Sequence, residues 1–175
     1  MDDKLKVFMD SQIESIAVLY MKGLYVQSAM LLYASIDQMA WLSVKGESEP
    51  RDFKNWIDRY FDKDKLSEIG VSADELWEAR NSLLHMSTSE SRKIKKQSYE
   101  KEGVIRKIYY MAGYKCNDSE RIDSVMVDLF KLCEGFFWGA NKFVEEVRND
   151  REAFPWMDQK LGKLLMVDFP SNVNN

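Results

Sequence analysis

Apolar residues recur at three- and four-residue spacing over most of this chain, the period of helices that bury one face. Leu5, Phe8, Met9, Ile13, Ile16, Ala17 and Tyr20 predict a first helix over residues 3–21, with Gly23 as its stop. Residues 24–44 hold a single charge, Asp37, and are apolar nearly all round, which predicts a central buried helix. The segment from Lys45 to Pro50 reads as a loop from its Gly, Ser and Pro content. Phe53, Trp56, Ile57, Tyr60 and Phe61 then predict a short amphipathic helix with Asp52 near its start, followed over residues 62–70 by a turn or a single helical revolution. From Asp118 to about Arg148 the apolar spacing predicts one long helix, in which Gly135 and Gly139 leave room for another helix to approach. A last helix is expected over about 155–166, with Pro155 tolerated in its first turn.

Between these elements lies the segment from Ser72 to His85. Ser72 and Glu75 have capping-box spacing, which starts a helix by two reciprocal bonds between side chain and backbone. At about 100° per residue, Leu76, Trp77, Leu83 and Leu84 fall within roughly 60° of one direction. The same arithmetic puts Arg80 at the centre of that stripe. An arginine among leucine and tryptophan needs a buried partner or a cavity, because an unpaired buried guanidinium is very costly. Asn81 and His85 are four apart and share an adjacent face. Asp37 is a second ionisable group on an apolar face, with Met30, Tyr33, Ala34, Ala40, Trp41 and Val44 as its helical neighbours. Arg80 and Asp37 therefore also fit a purely structural ion pair between two helices.

The 175 residues, 45% of them hydrophobic, suffice for one domain with a sizeable, aromatic-rich core. Cys116 and Cys133 have no CxxC spacing, so neither a zinc site nor a disulfide framework is expected. No targeting segment or uncharged apolar run of membrane length is evident, and the expected location is the cytoplasm. A net charge of −4 argues against broad nucleic-acid binding, yet Arg92 to Lys107 contains seven bases and two acids, a local net of +5. That segment contains two runs of strand character around Glu100 to Gly103, and a small β-hairpin is predicted over about 92–112.

His85 is the only histidine, and the chain lacks HExxH, a CxxC pair, a Gly-rich phosphate loop and GxSxG. What remains is an arginine able to stabilise charge on a phosphate and a histidine able to move a proton near neutrality. Arg80-Asn81-x-x-x-His85 at the end of a helix resembles the HEPN family, with its Arg-x4–6-His motif, as do YASIDQMAWL, FKNWIDRYF and ELWEARNSLLH followed by SES. The resemblance spans about residues 24–148. It implies an all-α, antiparallel four-helix-type bundle (core helices about 3–21, 24–44, 72–85 and 118–148) with extra short helices.

The function it implies is metal-independent RNA cleavage of the toxin or phage-defence kind, without a cofactor, in which a ribose 2′-hydroxyl attacks the neighbouring phosphate. His85 would be the acid/base, Arg80 would bind phosphate, Asn81 would orient substrate or imidazole, and Asp37 would hold Arg80. Arg92, Lys93, Lys95, Lys96, Arg106 and Lys107 are the candidate RNA contacts. One imidazole per chain gives an independent reason for a homodimer, since two would supply both acid and base. An antitoxin or nucleotidyltransferase-type partner also belongs to the expectation. The alternatives are a non-catalytic HEPN-like module binding RNA, a nucleotide or a protein, and a structural dimer with Arg80 in a buried ion pair.

Overall fold

The computed structural model describes residues 2–86, 105–112 and 124–164. Among these are seven α-helices, one short 3-10 helix and two strands. None of the described helices is long and apolar enough to cross a membrane. Helices α1 (Asp2–Met21) and α2 (Tyr25–Ser43) are joined by a tight turn. Gly23 takes φ of 73°, and the amides of Gly23 and Leu24 reach back to the carbonyls of Tyr20 and Leu19. That is the Schellman arrangement, which only a residue tolerant of positive φ closes cheaply.

α2 is the hub, in contact with α1, α3 (Pro50–Tyr60), α5 (Ala73–Met86), α6 (Leu129–Asn149) and α7 (Met157–Leu161). Leu32, Tyr33, Ile36 and Met39 are wholly buried along it, as its nearly uncharged sequence requires. α3, expected as an accessory, belongs to the core: Phe53, Trp56, Ile57 and Tyr60 are buried, and Trp56 is ringed by Tyr60, Phe61, Phe136 and Phe143. Gly135 and Gly139 of α6 make room for this cluster. A Cβ at Gly135 would lie 2.8 Å from the Phe61 ring, and one at Gly139 would lie 3.2 Å from the Tyr60 carbonyl oxygen. The segment expected as a turn or a single helical revolution forms α4 (Lys63–Ile69), capped by Asp62 and ended by Gly70 at φ of 74°.

Two expectations are corrected. Strand β1 (Lys107–Met111) lies where the second hairpin strand was expected, but it pairs with β2 (Ser124–Asp128), in parallel, so the unit is not a hairpin. The long helix consequently begins at Leu129 and not near residue 118. Val125 and Val127 match a strand as well as a helical stripe; pairing with β1 settles this short run as a strand, and the Asp128 carboxylate, which caps the Phe130 amide, starts the helix after it. Ile108 and Val127 face the core while Tyr109 and Met126 are exposed, the alternation of a one-sided strand pair. Residues 92–104 of the expected hairpin, and 118–123, lie outside the described residues.

The end of α2 is fastened by the C-terminal segment. Lys160 is buried and its ammonium donates to the carbonyls of Trp41, Val44 and Gly46, while Trp156 Nε1 donates to Leu42. Trp41 and Leu42 lie in the last turn of α2, Val44 is its cap and Gly46 belongs to the loop beyond, so the C-terminal segment ties down the exit of the helix.

Candidate functional site

The expected capping box sets the start of α5. Ser72 N–H donates to Glu75 Oε2 at 2.8 Å and Glu75 N–H to Ser72 Oγ at 3.2 Å. Glu75 has a second duty, accepting Arg106 Nε at 2.6 Å, and Arg106 also donates to the Gly70 carbonyl. Burial opposes ionisation of Glu75, but Arg106 and Ser72 together outweigh it and hold the carboxyl below its ordinary value. With Glu75, Glu78 and Ser82 buried beside Leu76, Ala79 and Leu83, the buried arc of α5 is broader than the apolar stripe. Its centre moves away from Arg80, which therefore sits at the edge of the core face and not in the middle. The buried glutamates are what sequence pattern misjudged.

From that edge Arg80 reaches four neighbours. Its Nε and Nη2 both donate to Asp37 Oδ2, at 2.7 and 2.6 Å. Nη1 donates to Asn81 Oδ1 at 3.0 Å and lies 3.1 Å from His85 Nε2. The guanidinium carbon stacks 5.1 Å from the Trp77 ring centre. Since arginine is only a donor, the contact with His85 needs a neutral ring with its lone pair on Nε2 and its proton on Nδ1. The side chains of Arg80 and Asp37 are 20% and 26% exposed, whereas His85 is exposed. Burial raises the Asp37 carboxyl above its ordinary value, against the opposing pull of Arg80.

All four residues singled out for chemistry, Arg80, Asn81, His85 and Asp37, come together in one cluster. Of the candidate RNA contacts, two are among the described residues. Arg106 is engaged by Glu75 and Gly70, Lys107 is half-buried at the start of β1, and Arg92, Lys93, Lys95 and Lys96 lie outside the described residues.

Sequence reading missed a cleft of about 310 Å³ beside Arg80. Asp37, Gln38, Trp41, Glu49, Trp77 and Arg80 line it, with Phe53 below. Helical spacing carried a signal for part of it: Trp41 is four residues after Asp37, and Trp77 three before Arg80. Glu49 comes from the loop ahead of α3, where a reciprocal box with Asp52 fixes it. No local pattern announced that contribution. Comparison of the chain with family models, with curated proteins and with solved structures gives no match.

Proposed function

We propose that this chain is an endoribonuclease of the toxin or defence type, related to the HEPN family and acting in the cytoplasm as a homodimer with a composite site. The observation that carries the reading is Arg80 Nη1, which stands 3.1 Å from His85 Nε2 and 3.0 Å from Asn81 Oδ1. A phosphate oxygen competes for the same N–H. Taking it releases the imidazole, so phosphate binding and activation of the base become one event. His85 of one protomer then removes the proton of the ribose 2′-hydroxyl, and the oxygen attacks phosphorus. The 5′-oxygen leaves with a proton from the other protomer's imidazolium, giving a 2′,3′-cyclic phosphate and a 5′-hydroxyl. Asp37 keeps Arg80 aimed throughout, and none of these steps calls on a metal.

The test is RNA cleavage in EDTA by purified Arg80→Ala and His85→Ala proteins. Each is expected to lose about a hundredfold or more. Undiminished cleavage by either would sink the mechanism. For a composite site, activity per chain also falls on dilution, in step with dissociation measured by sedimentation.

One observation favours a rival. The nitrogens of Arg80 are engaged by Asp37, Asn81 and His85 within the chain itself, as a fold-specifying ion pair requires. In that reading the variants lose stability, and wild-type protein leaves RNA intact.

A further inference from the structure

The cleft beside Arg80 has a chemical character that the cleavage step does not use. At about 310 Å³ it stands at the lower end of the roughly 300–1,000 Å³ typical of small-molecule sites, the size for a base with its sugar. Trp41 and Trp77 supply aromatic surface, on which planar rings stack. Its polar lining is rich in acceptors. Both Arg80 bonds to Asp37 fall on Oδ2, so Oδ1 takes neither. Gln38 Oε1 is buried and finds no hydrogen-bond partner among the described residues, a costly arrangement that a bound donor would relieve. Glu49 adds a carboxylate, and Ser48 a hydroxyl able to donate.

Charge narrows the ligand further. Asp37 is already paired with Arg80, and Glu49 with Arg51 at 3.1 Å. Each carboxylate of the lining thus has a cation beside it, which favours a neutral donor over a free cation. Among the bases, guanine alone presents two adjacent donors, N1–H and the N2 amino group, next to an acceptor, O6. Adenine, cytosine and uracil each offer one donor group on that edge. We propose that this cleft is a guanine-binding subsite, with Gln38 and the carboxylates of Asp37 and Glu49 reading the donor edge between Trp41 and Trp77.

The proposal rests on the nuclease reading for its biological substrate, since Arg80 would hold the phosphate attached to that base. Binding and cleavage are measured separately so that the two can fail apart. Calorimetric titration of the full chain with the 3′-monophosphates of guanosine, inosine, adenosine, cytidine and uridine is expected to show guanosine tightest. Its margin over adenosine, cytidine and uridine should be at least about tenfold, as expected when buried acceptors lose their donors. Inosine, which keeps N1–H but lacks the amino group, should fall between. Gln38→Leu is expected to erase most of that margin with an unchanged circular dichroism spectrum. Glu49→Gln, nearly isosteric, provides the second variant and should shrink the same margin. Equal affinity for the five nucleotides, or tighter binding of the guanidinium compound agmatine, would overturn the proposal. Guanine preference in a protein that leaves RNA uncut would retire the nuclease and keep the subsite. RNA cleavage by a protein that does not discriminate guanine would do the reverse.

Discussion

Replacing Asp37 with asparagine leaves the shape of the cluster and removes the charge that Arg80 faces. Breaking a fully buried pair from one side costs about 3–5 kcal/mol, and an exposed pair about 0–1 kcal/mol. With side chains 20% and 26% exposed, Arg80 and Asp37 fall between these limits. The expected loss for Asp37→Asn is about 1–3 kcal/mol, a fall in Tm of about 2–4 °C per kcal/mol for a chain of this size. Arg80→Met keeps an unbranched stem against Trp77 and removes the guanidinium. A double-mutant cycle in urea isolates the pair itself, and its coupling should be about 1–2 kcal/mol. The coupling should also persist at high salt, because the pair is largely shielded from bulk solvent. A coupling below about 0.5 kcal/mol, the range of independent sites, would refute the geometry on which both the catalytic and the structural readings depend. With the geometry upheld, cleavage assays of Asp37→Asn separate the two. The nuclease reading expects a lower kcat from a still-folded protein, because Arg80 has lost its aim.

Three further outcomes follow from the packing and the charges. Gly139→Ala should destabilise by about 1 kcal/mol or more by chemical denaturation, because the strain of a Cβ against the Tyr60 carbonyl exceeds the gain in helix propensity. Lys160→Met, which keeps the apolar stem, should cost about 1–3 kcal/mol by removing the buried ammonium that donates to Trp41, Val44 and Gly46. Glu75 titrates lower in the fold than in the unfolded chain, so its contribution is present above its ordinary value of 4.5 and lost as pH falls through the lower folded value. The charge-linked part of the stability gap between wild type and Glu75→Gln, followed by thermal melts, should therefore begin to narrow as pH falls below 4.5 and be gone once pH has passed the lower folded value.

Helix periodicity and capping chemistry were legible from the sequence because both are local. The Ser72–Glu75 box and the room left by Gly135 and Gly139 appear where spacing alone puts them. The long helix was overextended because Ser124 to Asp128 satisfies both periods, and pairing with a strand 17 residues earlier decides between them. Arg80, Asn81 and His85 were found as neighbours on one helix. Their link to Asp37, 43 residues away, was readable because each is the ionic misfit of its own apolar face. Glu75 and Glu78 defeated the reading, since a glutamate is ordinarily on the outside, and Arg106, from beyond the helix, helps Ser72 make burial of Glu75 tolerable. The cleft was missed for a similar reason: its lining comes from two helices and a loop.

Trp41 and Leu42 give their carbonyls to residues that follow them in the chain by 119 and 114 positions. On a ribosome, the helices that carry Asp37 and Arg80 emerge well before Trp156 and Lys160 exist. A nascent chain short of residue 160 lacks the ammonium that the Trp41 carbonyl accepts in the full chain. The exit of α2 thus receives its C-terminal donors only after nearly half the protein has been made beyond Arg80, so residues synthesised late fasten one of the first helices.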